Sequence, residues 1–222
     1  MIIQQWKDSP DGETKWGPLW SVASDGDTTR RKSFHLLLME NEVKLDDPLW
    51  DELGNLSLLN LQTGPDAVTM DFDFKHIFKR FATQICSPDG TLITDTIITQ
   101  NHIAHELSRM EDISAKSIEA LIDPADHQNV PEAVRLLQRI SEIGSLLTTE
   151  LSPGELKLWK AITFLSTLLS AVISSFINPK LSLSEQLLSL ALFKHGTAFI
   201  YGQLYHDLQS MIKNAFLCIA KL

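Results

Sequence analysis

The feature that constrains the fold most is a change of pattern near residue 100. After Gln100, six segments read as helices, over 103–110, 115–122, 131–147, 153–177, 184–201 and 203–221. Their starts are marked. Proline falls in a first turn at Val130-Pro131-Glu132 and at Ser152-Pro153, where its missing N–H removes no intrahelical bond. Ser182 followed by Glu185 fits a capping box, and Asn178-Pro179 ends the longest helix.

Before Gln100, short apolar runs alternate with helical spacing. Pro18-Leu19-Trp20-Ser21-Val22-Ala23-Ser24 reads as a buried strand closed by the turn residues Asp25-Gly26-Asp27. A helix is expected over 30–40, capped by Asp27 or Thr28, with Phe34, Leu37 and Leu38 inward. A short helix follows over 48–53, and 58–61 is a brief strand or irregular. A second buried strand over 67–72 runs directly into a helix over 74–85, where Ile77, Phe78, Phe81 and Ile85 repeat at helical spacing. Residues 91–99 alternate as a small hairpin would. The predicted class is therefore α+β: a mixed α/β segment over 1–99, then an all-helical domain over 100–222.

One helical segment bears on the membrane question. From Ala161 to Ile177 no residue is charged, which reaches the lower end of a spanning length. Thr163, Ser166, Thr167, Ser170 and Ser174 share one side, and Leu158, Ile162, Leu165, Leu169, Val172 and Phe176 the other. Such a stripe belongs to a core helix of a soluble bundle, so no membrane is expected.

The formal net charge of −9 argues against a free-standing nucleic-acid-binding module, whose affinity comes mainly from basic groups meeting phosphates. Any DNA contact needs a local basic patch or another domain. Arg30, Arg31 and Lys32, with Lys75, Lys79 and Arg80, are the phosphate-facing candidates. Cys86 and Cys218 make no disulfide framework, and Met1-Ile2-Ile3 runs into polar Gln4-Gln5 rather than a signal-peptide core. The expected compartment is nuclear or cytoplasmic, not secreted.

Three constellations can carry chemistry. Asp25 and Asp27 lie at the end of a buried strand, where acids can hold Mg²⁺ through carboxylate oxygens, or can simply form an Asx turn and a helix cap. Asp73 lies at a strand-to-helix junction with His76 one turn on; the pair can hydrogen-bond, or Asp73 can cap the helix. His102 and His105 are three apart on a helix, but their order with Glu106 matches no zinc-protease pattern, and they read as surface or packing residues. His127, His195 and His206 are isolated.

The order of these features resembles the P-element family of DNA transposases, and more closely its fungal transposon-derived relatives. The matching residues are Val22-Ala23-Ser24-Asp25-Gly26-Asp27-Thr28-Thr29-Arg30 and, further on, Phe72-Asp73-Phe74-Lys75-His76-Ile77-Phe78-Lys79. The resemblance implies a ribonuclease-H-like core interrupted by a helical insertion, and Mg²⁺-dependent cleavage and transfer of DNA strands. It makes Asp25 the second acid of an Asp-Asp-Glu set, with Asp27 as competitor and fellow metal ligand, and Asp73 and His76 as further candidates. Ile122-Asp123-Pro124-Ala125-Asp126-His127-Gln128-Asn129-Val130 resembles a loop of the insertion, which binds GTP in P-element transposase. The lysine expected near its start is missing here, so GTP binding is not expected to carry over.

The first acid and the final glutamate of the family fall on segments with no match in this sequence. The chain is therefore expected to be a fragment, inactive alone, meeting DNA only within a longer protein and open to a homo-oligomer or protein partner. Two other readings stand beside this one. One is a non-catalytic helical interaction module. The other is a small metal-dependent phosphodiesterase using Asp25, Asp27, Asp71 and Asp73.

Overall fold

The computed structural model describes residues 2–25, 27–57, 59–124, 126, 128–146, 151–197 and 204–222. Parts of the expectations above lie outside them: the Thr28 side chain, Leu58, His127, Leu147 and the end of the helix expected over 184–201.

The chain runs α1 (Ile2–Asp8), α2 (Glu13–Trp16), β1 (Ser21–Ser24), α3 (Thr28–Leu38), β2 (Asn41–Glu42), α4 (Pro48–Leu53), β3 (Gln62–Thr63) and β4 (Thr69–Phe72). It continues through α5 (Phe74–Ile85), β5 (Thr91–Ile93), β6 (Thr96–Ile98), α6 (Gln100–Leu107), α7 (Ala115–Ile122), α8 (Val130–Ile143), α9 (Pro153–Ile177), α10 (Leu183–Thr197) and α11 (Leu204–Ala220). It divides into two compact units, Met1–Asp73 with Gln209–Leu222, and Phe74–Leu208. The change of pattern near residue 100 falls inside the second unit.

In the first unit β1 and β4 are parallel neighbours, with Ser21 opposite Thr69 and Ser24 opposite Phe72. A parallel pair needs a crossover, and α3 lies within the connection. Side chains alternate across the pleat. Val22 and Met70 pack with Ile3, Leu38, Val68 and Phe34 on one face. On the other, Thr69 Oγ1 donates to Asn214 Oδ1 of α11. Leu217, on α11, packs with Val43, Leu53 and Trp50 in a second small cluster. Phe34 and Leu38 point inward as expected, but Leu37 is exposed, because it sits about 100° round the helix from Leu38 and off the covered side.

The architecture is mixed α/β, but its sheets stop at two strands each: β1–β4 parallel, β2–β3 and β5–β6 antiparallel. The larger sheet of a ribonuclease-H-like topology is not present among the described residues.

The second unit is a helical bundle carrying the β5–β6 hairpin. Its centre is α9, which packs against both α8 and α10. By length and composition α9 could cross a membrane. Here Ile162, Leu165, Leu169 and Val172 are buried in the bundle. The polar side of α9 is only partly at the surface. Thr167 and Ser170 are exposed, whereas Ser166 is buried and its hydroxyl donates to the carbonyls of Ile140 at 2.8 Å and Ile162 at 2.9 Å. Ser152 and Glu155 form the reciprocal cap that starts α9, and Ser182 and Glu185 form the equivalent one before α10.

Candidate functional site

The candidate site lies where β1 and β4 end side by side. The Asp73 N–H donates to the Ser24 carbonyl at 2.9 Å, so the ladder continues one residue past β4. Asp25 and Asp73 are thus the first residues beyond the carboxyl ends of two adjacent parallel strands. Open α/β sheets hold ligands at such ends, because side chains just past the strands converge there while the strands stay rigid.

Asp25 is engaged. Its Oδ1 accepts from Arg30 Nη1 at 2.8 Å and from the Asp27 N–H at 3.2 Å. Asp27 caps α3, its Oδ1 accepting from the N–H groups of Thr29 at 2.9 Å and Arg30 at 3.4 Å. Both halves of the turn-and-cap reading are therefore realised, and Arg30 serves an acid rather than facing outward alone. Arg31 lies over the Phe72 ring, 5.8 Å from its centroid.

His76, Lys75, Lys79 and Arg80 belong to α5 in the second unit. Lys75 is exposed and Arg80 half-buried. Lys79 Nζ donates to Gln128 Oε1 at 2.6 Å. His102 Nδ1 accepts the Thr99 N–H at 3.2 Å in the cap of α6, while His105 is exposed.

Asp71 stands apart from the other acids. Its side chain lies on the α11 face of the sheet, and burial pushes its pKa up to about 6 against the pull of the Phe72 N–H and Asn214. Nearby, Lys213 Nζ donates to the Gln62 carbonyl, and burial brings its pKa down to about 8. Lys221 Nζ donates to the carbonyls of Ala67 at 2.5 Å and Trp20 at 3.3 Å. Sequence reading passed over this polar seam. A signal was available: Asn214 and Cys218 on α11, and Lys221 just past its end, recur at i, i+4 and i+7 within the apolar stretch that closes the chain.

A fit to Mg²⁺ is incomplete. Two-metal centres use several carboxylates, and among the described residues no group of three or more His, Cys, Asp or Glu side chains is placed to share an ion. The four acids of the phosphodiesterase reading divide into a paired Asp25, a capping Asp27, a half-buried Asp71 and Asp73.

The second unit contains a half-open cavity of about 340 Å³, lined in part by Cys86, Leu121, Asp123, Asn129, Glu132 and Leu136. Described residues of the loop that resembles the family insertion contribute to its wall. Burial pushes the Cys86 thiol up to about 11, which keeps it protonated and unreactive at neutral pH.

Comparison with known proteins gives no match, whether to family models, to curated proteins or to solved structures.

Proposed function

We propose that this chain is a fragment of a transposase-derived protein, a piece of a ribonuclease-H-like core with a helical insertion. Its ancestral activity is Mg²⁺-dependent cleavage and transfer of DNA strands, and alone it does not cleave DNA. The observation that carries this reading is the parallel pairing of β1 with β4, which brings Asp25 and Asp73 to one end of the sheet. Two acids on neighbouring strands are part of a metal-dependent site, and the rest must come from elsewhere. Arg30 holds the Asp25 carboxylate meanwhile. GTP is left out: Asp123, Asp126 and Glu132 make the wall of the second unit's cavity acidic, with Lys79 as the opposing cation. A triphosphate meets repulsion there.

The test is to read the flanking coding sequence and assay the product. In-frame segments carrying an acid upstream and a glutamate downstream are expected, and the longer protein should nick supercoiled DNA with Mg²⁺ where the 222-residue chain does not. Unrelated sequence on both sides sinks the proposal.

A second reading, a non-catalytic helical interaction module, is favoured by the outer side of α10. Leu188 is 73% exposed and Leu192, one turn on, 49%. Retention of a cellular protein by the intact chain, lost on changing both leucines to glutamine, would favour it.

A further inference from the structure

The β1–β4 ladder fixes which backbone groups face outward. Thr69 and Asp73 donate to the carbonyls of Trp20 and Ser24. Odd-numbered residues of β4 therefore face even-numbered residues of β1. Met70 and Phe72 turn their backbone groups away from β1, and Ser21 and Ala23 turn theirs away from β4.

The outer edge of β4 is closed at both ends. The Gly64 N–H donates to the Val68 carbonyl at 2.8 Å, and the outward Phe72 N–H is taken by Asp71 Oδ1 at 2.8 Å. Among the described residues the outer edge of β1 is open. Ala23 is exposed, and among the described residues no hydrogen bond reaches the backbone N–H or C=O of Ser21 or Ala23. The other strands are already paired in β2–β3 and β5–β6. Two strands alone make a marginal sheet, parallel ones are normally interior, and an unpaired edge is a template for another strand.

We propose that the outer edge of β1 is a strand-addition site for an extended segment from outside these 222 residues. The faces of the existing pair define that segment, because an added strand continues both layers. On the face of Val22 and Met70 it continues a layer that is apolar in the existing pair, which calls for large apolar side chains. Beyond Ser21 and Ala23 it continues the face of Thr69 and Asp71, where Asn214 packs, which calls for small or polar ones. The partner is a strand alternating large apolar with small polar residues. A second copy is disfavoured by the net charge of −9, which makes two chains repel. A strand added there would complete the sheet of the fragment reading, but the open edge of β1 does not depend on that reading.

The probe is an acetylated peptide alternating valine and serine, with a terminal lysine. Amide hydrogen exchange of the full chain is the readout. Ser21 and Ala23 are expected to exchange freely without peptide and to slow about tenfold or more at saturation, a change of about 1.4 kcal/mol. Val22 and Ser24 stay protected throughout. Ala23→Pro removes the outward donor and puts a ring on that edge while leaving every ladder bond to β4 in place, so it should abolish binding with an unchanged circular dichroism spectrum. If that variant unfolds, the peptide N-methylated at every residue decides, since neither of its edges can donate to a ladder and the protein itself is left intact. Unchanged Ala23 exchange at saturating peptide, or equal binding of the N-methylated peptide, overturns the proposal. Protection of Ala23 that grows with protein concentration alone would give the edge to a second copy and overturn the stated occupant. Flanking sequence without acids would remove the transposase reading and leave this result standing.

Discussion

Asp71 Oδ1 accepts the N–H of its own neighbour Phe72 at 2.8 Å, so a half-buried acid closes the outer edge of β4. The closure has a cost that depends on pH. Between its ordinary value of 3.8 and its folded value of about 6, the native state holds a proton that the unfolded chain has released. Stability attributable to Asp71 is therefore full below pH 4 and falls as pH rises through 6. The shift corresponds to at most about 3 kcal/mol. Asp71→Asn keeps an acceptor for Phe72 and removes the charge. Urea unfolding should show the variant more stable than the parent at pH 7, with the two converging near pH 4. Equal stabilities at pH 7 would mean that the carboxylate is solvated in the folded chain.

Lys213 works in the opposite pH range. It is 2% exposed and its amine donates to the Gln62 carbonyl. Its folded pKa of about 8 lies below the ordinary 10.5, so the unfolded state binds more protons between these values. Stability should rise as pH increases from 8 towards 10.5, and the buried cation opposes folding below that window. Lys213→Met fills the same volume without charge, and Gln62 is exposed enough for water to satisfy its carbonyl. The variant should gain about 1–3 kcal/mol at pH 7 and lose the alkaline rise. Denaturant midpoints at pH 7 and pH 10 check both effects.

Much of the fold was legible because its signals are local. The proline and capping residues before Glu155 and Glu185, and the helical repeat Ile77, Phe78, Phe81 and Ile85, depend only on nearby chain. The two buried strands ending at Ser24 and Phe72 were legible from their apolar runs, and they pair in parallel. Non-local partners were not legible. Asn214 meets Thr69 across 145 residues of sequence, and nothing near either residue announces the other. Ser166 also misled, because spacing placed it on a polar stripe whereas packing against Ile140 buries it. For Asp25, sequence offered a metal ligand or a turn; the turn and the Arg30 pair are geometry, and the catalytic role still rests on resemblance.

Gly196 offers a sign test of the α9–α10 packing. In an exposed helix, Gly→Ala gains about 1 kcal/mol because alanine loses less backbone freedom. Here a Cβ at Gly196 would stand 2.1 Å from Leu168 Cδ2 and 3.1 Å from its Cγ. Leu168 is itself buried and cannot swing clear. Gly196→Ala should therefore destabilise the bundle by about 1–3 kcal/mol despite its better propensity. Thermal or urea unfolding decides the sign, and a gain in stability would show that the two helices do not approach this closely.

Asp25 and Asp27 can be separated by what each holds. The Asp25–Arg30 pair is largely solvent-exposed, so Asp25→Asn should change stability by less than about 1 kcal/mol. Asp27 accepts two N–H groups at the start of α3, so Asp27→Ala should cost about 1 kcal/mol or more. In a longer protein that nicks DNA, the order should invert. Asp25→Asn is expected to abolish Mg²⁺-dependent nicking, whereas Asp27→Ala lowers stability and leaves nicking measurable below its melting temperature. The assay pairs urea unfolding with nicking of supercoiled plasmid at fixed Mg²⁺. Loss of nicking in the Asp27 variant alone would transfer the acid's role to Asp27, and survival of nicking in both would remove this turn from the chemistry.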